Sequence, residues 1–154
     1  MHKQKVDILL ITLTSPILIG IYEEGVLIKS VSSKERSSEA LPLLFRDLLT
    51  SYEIQGLFYA NGPGSFMAIK VAYIFLKSLS ILKKIPLFAT DAFKFNENQP
   101  IKAIGKLCFV KIASEIRTQR LEKVPEGIFT LPEILDYSEF STTSTPLYKI
   151  GAVG

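Results

Sequence analysis

Between residues 56 and 90 the chain carries two strand-like runs joined through a helix, and this unit limits the fold more than any other segment. Gly56 to Ala60 is apolar and strand-like, and Asn61-Gly62-Pro63-Gly64-Ser65-Phe66 is a turn. Met67 to Leu82 has the length and composition of a helix, and Pro86 to Thr90 reads as the second strand. Two strands joined by a helical crossover pair in parallel in one sheet, and such a sheet needs cover on its faces. The chain is therefore α/β.

The preceding residues extend the sheet. Val6 to Ile11, Ile17 to Tyr22 and Val26 to Val31 read as strands. The turns Thr14-Ser15-Pro16 and Glu23-Glu24-Gly25 join them into an antiparallel meander. Ser38 and Glu39 open a helix over Glu39 to Tyr52, with Pro42 in its first turn, where a missing N–H costs little. Leu41, Leu44, Phe45, Leu48 and Leu49 give it one apolar face. The order is β-β-β-α-β-α-β, a mixed sheet with covering helices. After Asp91 local signals weaken. Phe93 to Pro100 reads as a polar loop, Lys106 to Ala113 as a strand, Leu131 to Tyr137 as a short helix, and Ser141 to Thr145 as a linker.

Composition narrows the chemistry. Hydrophobic residues are 47% and charged residues 21%, as in globular proteins, and a net charge of +3 is too small to argue for nucleic-acid binding. The one cysteine, Cys108, lies in the apolar run Leu107 to Val110 and reads as a buried thiol in a reducing compartment. The one histidine is His2. A Ser–His or Cys–His pair has no base, and a His/Cys zinc site cannot be assembled. Glu23-Glu24 reads as a solvated turn, and Asp91 as a helix N-cap. Lys3 and Lys5 before the run Ile8 to Tyr22 imitate a signal peptide, but Asp7, Thr12, Thr14, Ser15 and Pro16 interrupt it. The expectation is a cytoplasmic protein with no membrane span.

Two features remain open at this level. The turn Gly62, Pro63, Gly64 and Ser65 lacks the Gly-Lys-Ser/Thr ending of a Walker loop. It is either a turn that launches a helix or an anion site built from free N–H groups at the helix start. The helix Met67 to Leu82 is apolar almost all round, apart from Lys70 and Lys77, which with Lys84 are spaced by seven. It is either sandwiched in the core or presents an apolar outer face to a partner.

Gly62-Pro63-Gly64-Ser65-Phe66 followed by Met67-Ala68-Ile69-Lys70-Val71 resembles the Gly-Pro-Gly-Ser-Phe-Thr-Gly-Leu-Arg-Ile signature of TsaB (YeaZ) proteins. Ser38-Glu39-Ala40-Leu41-Pro42-Leu43 is similar to the family's Ser-Glu-x-Leu-x-Pro helix start, and Ile85-Pro86-Leu87 to its Gly-Ile-Pro-Leu segment. Pro146-Leu147-Tyr148-Lys149 is similar to its C-terminal Pro-x-Tyr-Leu-Arg. The resemblance covers Ile8 to Phe93 and thins beyond.

The resemblance implies an actin-like ATPase (ribonuclease H-like, ASKHA) fold with a truncated second lobe. Residues 1–92 would form the N-terminal lobe and residues 93–154 a reduced C-terminal lobe. It implies a non-catalytic scaffold, with no catalytic or metal-binding residue, that binds and activates a TsaD-like paralogue. With a TsaE-like ATPase, that complex transfers a threonylcarbamoyl group to the adenosine beside the anticodon of tRNA. ATP and a metal would belong to the partners, this chain would bind no cofactor, and tRNA would be met indirectly. The family's interface, which also makes its homodimer, uses the two helices of the first lobe. Here that points to Leu41, Phe45, Leu48, Ile69, Ala72, Tyr73, Leu76 and Lys77.

There are departures from the family pattern. Ile8-Leu9-Leu10-Ile11-Thr12-Leu13-Thr14 replaces Ile-Leu-Ala-Ile-Asp-Thr-Ser, so Thr12 stands where the family has an aspartate near nucleotide phosphates. Lys70 replaces an arginine and loses its bidentate fork. With no metal ligands and no base, the family's old peptidase label does not carry over. Two other readings compete with the scaffold: a nucleotide- or phosphate-binding protein using Gly62 to Ser65, or a homodimeric interaction module. Direct tRNA contact through Lys70, Lys77, Lys83 and Lys84 is a third.

Overall fold

A computed structural model describes residues 2–125 and 127–148. Lys149, the last residue of the C-terminal motif, lies outside them. Five strands form one mixed sheet: β1 (Gln4–Ile11), β2 (Ile17–Glu23), β3 (Val26–Ser33), β4 (Tyr52–Ala60) and β5 (Leu87–Thr90). Their order is β3-β2-β1-β4-β5. β1 pairs antiparallel with β2 and parallel with β4, and β5 runs parallel to β4. Glu24 and Gly25 turn between β2 and β3 with φ of 49° and 81°, the left-handed pair that a two-residue hairpin requires.

The helices α1 (Ser37–Ser51) and α2 (Phe66–Lys83) complete the expected order. α1 starts earlier than its Ser-Glu signal suggests, with Arg36 at the N-cap, so Pro42 falls in the second turn rather than the first. Its ring leaves the Ser38 carbonyl without an intrahelical donor, which is tolerable because both residues are exposed. α1 passes directly into β4 at Tyr52, so that strand is longer than its apolar core Gly56 to Ala60.

Alternation along β1 splits the core in two. Val6, Ile8 and Leu10 join Ile19 and Ile21 of β2, Leu41, Phe45 and Leu48 of α1, and Ala72, Leu76 and Leu79 of α2. Leu9 and Ile11 point to the opposite face, where they join Phe58, Phe93, Phe95, Phe109, Phe129 and Leu135. The central strand is therefore apolar on both faces, as its near-continuous hydrophobic sequence requires.

The residues after β5 supply the cover for the second face. Asp91 caps a 3-10 helix, Ala92–Phe95, accepting the Phe93 N–H at 3.0 Å. Phe93 and Phe95 are buried, so the expected polar loop is corrected: its aromatic residues are core. β6 (Ile101–Ile104), β7 (Leu107–Ile112) and β8 (Glu115–Arg120) form a separate antiparallel sheet. Only β7 was expected, and it buries Cys108 completely. Lys111 of β7 reaches back to Asp91 at 2.6 Å, in a largely buried ion pair.

The helix expected over Leu131 to Tyr137 is absent. Its backbone groups are instead paired with the turn before β3 and the start of that strand. Leu27 donates to the Glu133 carbonyl at 2.9 Å, Leu135 donates to Gly25 at 2.7 Å, and Val26 bridges Ile134. A 3-10 turn follows at Tyr137–Glu139.

Candidate functional site

The glycine loop leaves β4 at Ala60 and enters α2 at Phe66, so it sits at the carboxyl end of the parallel strands. Open α/β sheets place their ligands there. Here the chain's own C-terminal segment occupies the position. Ser141 and Ala89 exchange backbone hydrogen bonds of 2.8 and 2.9 Å, adding the segment to the β5 edge. Tyr59 donates its hydroxyl to the Ser144 carbonyl, and Asn61 Nδ2 to the Thr145 carbonyl at 2.9 Å. Leu147 donates to the Asn61 carbonyl at 2.8 Å.

This strap explains Gly62. Its φ is 121°, and an added Cβ would meet the Leu147 carbonyl oxygen at 2.8 Å and Ile69 Cδ1 at 3.0 Å. Only glycine allows both the dihedral and the close approach. Gly62 and Pro63 are buried, Gly64 is partly covered, and Ser65 alone of the four is exposed. The Gly62 carbonyl accepts from Ala92 at 2.8 Å. Ser65 caps α2, its hydroxyl accepting the Ala68 N–H at a long 3.4 Å. The Phe66 ring, half exposed, packs on Tyr148 with centroids 4.6 Å apart. The loop is thus a braced turn that aims α2.

Thr12 is buried and donates to the Ala68 carbonyl at 3.3 Å. It ties the end of β1 to the first turn of α2 and offers no carboxylate. Beside it lies an open groove of about 300 Å³, lined by Thr14, Ser15, Lys34, Arg36, Ser37 and Ser65 among others. Its cations and hydroxyls stand at the starts of both helices, where an anion is favoured, and Glu35 in the same lining opposes one.

Burial along α2 separates its core side from its exposed side. Ile69, Ala72 and Leu76 are each 1% exposed, and Leu41, Phe45 and Leu48 of α1 are buried with them. These six expected interface residues are corrected to core: Ile69 packs into the cluster on the other face of the sheet, and Leu41, Phe45, Leu48, Ala72 and Leu76 fill the space between the sheet and the two helices. Phe45 stacks edge-on to Phe75 at 5.2 Å within that layer. Of the expected set, Tyr73 is half-buried and Lys77 exposed.

The outer face of α2 belongs to other residues. Met67, Ile74, Ile81 and Leu82 are 62%, 53%, 67% and 78% exposed. Met67, Ile74 and Ile81 are spaced by seven, as are Lys70, Lys77 and Lys84, so one apolar stripe runs beside one basic stripe. The spacing of the apolar three was legible in the sequence. It was hidden because α2 is apolar on every side, and only the lysines stood out.

No family model matches the sequence, and no curated protein sequence matches it. Solved structures do match the fold. YeaZ from Pseudomonas aeruginosa aligns with a TM-score of 0.58 at 17% identity, over 83% of this chain and 70% of that one. The chain has the YeaZ fold. A second structure, of an uncharacterized protein with similarity to peptidase YeaZ from Pseudomonas aeruginosa, aligns with a TM-score of 0.52 at 20% identity. That alignment covers 75% of this chain and 63% of the other, so the chain spans less than two thirds of its length. Two features that stand free of the chain's own packing are the outer stripe of α2 and the groove at Thr14 and Ser65. No helix among the described residues is long and apolar enough to cross a membrane.

Proposed function

We propose that this chain is a TsaB (YeaZ)-type accessory subunit, built on an actin-like ATPase scaffold, that binds a TsaD-like paralogue through the outer face of α2. With a TsaE-like ATPase the complex transfers a threonylcarbamoyl group to the adenosine next to the anticodon of tRNA. The chain itself performs no catalytic step and holds neither the nucleotide nor the metal, which belong to its partners.

The observation that carries this reading is the stripe Met67, Ile74 and Ile81, with Leu82 beside its end, four large apolar side chains more than half exposed on one helix. Covering each would contribute about 1–2 kcal/mol, so a single chain gains nothing by leaving them wet. The glycine signature supports it, because Gly62 and Ser65 set the start and direction of that helix. The accessory role draws support from the one histidine and the one cysteine, neither of which is set for catalysis: His2 is exposed and Cys108 is buried.

The test is reconstitution. The chain, mixed with a TsaD-like and a TsaE-like protein, should co-elute with the former and restore threonylcarbamoyl transfer to tRNA. A folded chain that neither co-elutes nor restores transfer overturns the assignment.

The second reading, an anion-binding protein, draws on the groove where Lys34, Arg36 and Ser65 meet. Calorimetric titration with ATP and with phosphate tests it, and Arg36→Ala should abolish any heat that appears.

A further inference from the structure

Between α1 and the β3 edge of the sheet the helix layer is incomplete. Register sets Val31 beside Ile19 and Lys29 beside Ile21, on the side of the sheet that carries the helices. The flank of α1 that faces them is Leu44, Asp47, Leu48 and Ser51, spaced three and four apart. An all-aliphatic flank would fill the gap. Asp47 and Ser51 do not, and a cavity of about 210 Å³ remains between β2, β3 and α1.

The cavity has an aliphatic floor and a rim charged with both signs. Ile19, Ile21 and Leu48 are buried, and Val31 and Leu44 are half-buried. Lys29 stands on the β3 wall and Asp47 on the α1 wall, both exposed. The two do not pair with each other. Lys29 forms no ion pair among the described residues, and Asp47 meets only the adjacent Arg46, at 3.8 Å. An aliphatic floor gives water no hydrogen-bond partners, and apolar pockets with a few polar groups at the mouth are the usual form of small-molecule sites.

We propose that this cavity binds a free aliphatic amino acid, with its side chain on the floor, its carboxylate on Lys29 and its ammonium on Asp47. Size and charge select this class. At ~30 Å³ per water the space equals about seven waters, close to the eight or nine non-hydrogen atoms of valine or leucine. Lysine offers only donors and an ionised aspartate only acceptors, so a ligand that carries one charge leaves one wall unanswered. A residue inside a polypeptide carries neither charge. No residue of α2 lines the cavity, so its ligand is independent of the accessory role.

The experiment is an NMR titration of the full chain with four probes that share one aliphatic body: L-leucine, leucinamide, 4-methylpentanoate and 4-methylpentanamide. Leucine should bind tightest, with a dissociation constant on the order of a millimolar, as suits a ligand of this size on an open cavity. Loss of either charge should weaken binding about threefold to fivefold, the effect of one exposed ion pair. Shifts should centre on β2, β3 and α1. Lys29→Ala should erase the preference for leucine over leucinamide and keep the preference over 4-methylpentanoate. Asp47→Ala should do the reverse. Asp47→Leu fills the gap from the α1 side and should abolish binding of all four probes while the chain stays folded by circular dichroism. Equal binding of the four probes, shifts centred elsewhere, no saturable shift at about ten times the expected constant, or binding that survives Asp47→Leu overturns the proposal. So does closure of the cavity by a second copy, seen as shifts at the same residues that grow with protein concentration and are not reversed by leucine.

Discussion

The backbone N–H of Leu147 lies 2.8 Å from the carbonyl oxygen of Asn61, so the chain's C-terminal segment is hydrogen-bonded across the start of the glycine loop. The same residue's carbonyl oxygen fills the place where Gly62 would carry a Cβ, 2.8 Å away. Gly62→Ala should therefore lower stability by about 2 kcal/mol or more, from strain at positive φ plus displacement of the strap. Gly64 lacks the positive φ, and its Cβ would meet only the flexible Leu13 side chain at 3.0 Å. Gly64→Ala should cost less than half as much. Chemical denaturation of the two variants side by side checks the order.

The pair of Asp7 and Tyr137 predicts a pH effect. The Tyr137 hydroxyl donates to Asp7 Oδ2 at 2.5 Å. Burial raises the Asp7 carboxyl above its ordinary value, and the Tyr137 hydrogen bond opposes that rise. The folded state thus holds the Asp7 proton more tightly than the unfolded chain does. Stability from this group falls as pH rises from the ordinary carboxylate value through the folded one. Tyr137→Phe removes the opposing donor, raises Asp7 further and should destabilise by about 1 kcal/mol at pH 7. The loss should fade once the pH is low enough to protonate Asp7 in the folded state. Denaturation midpoints of both proteins across pH 3 to 8 measure it.

Lys111 and Asp91 join the small sheet to the end of β5, with side chains 18% and 15% exposed. Lys111→Ala leaves Asp91 largely buried without its cation and should cost about 2–3 kcal/mol, a little under the range for fully buried pairs. Asn at position 91 keeps an oxygen acceptor for the Phe93 N–H and leaves no unpaired carboxylate, so Asp91→Asn should cost less than Lys111→Ala. Thermal melts of the two variants test the ranking.

These contacts also explain which parts of the fold were legible in sequence. Strand alternation in Val6 to Val31, the Glu24-Gly25 turn and the Gly62 to Ser65 helix start are local signals, and local signals can be read from neighbours. β8, Glu115-Ile116-Arg117-Thr118-Gln119-Arg120, is polar because five of its six residues are exposed, so no apolar alternation marks it. The strap has no pattern of its own: its hydrogen bonds run to residues such as Ala89, Tyr59 and Asn61, far away in sequence. At the candidate site, an all-apolar helix hid which side was core. Ala72 and Leu76 face inward and Ile74 faces out, a distinction only the packing of α1 and the sheet could make.

That distinction yields the most direct test of the account. Ile74→Glu alters a side chain that is 53% exposed and should change stability by no more than about 0.5 kcal/mol. Leu76→Glu places a carboxylate in the core, where Leu76 is 1% exposed, and should unfold the chain. The measurement is size-exclusion co-elution of each variant with a TsaD-like protein at matched concentration, with circular dichroism confirming the fold. Wild type should bind, and Ile74→Glu should be folded but elute alone. A folded Ile74→Glu chain that still co-elutes with its partner would contradict this.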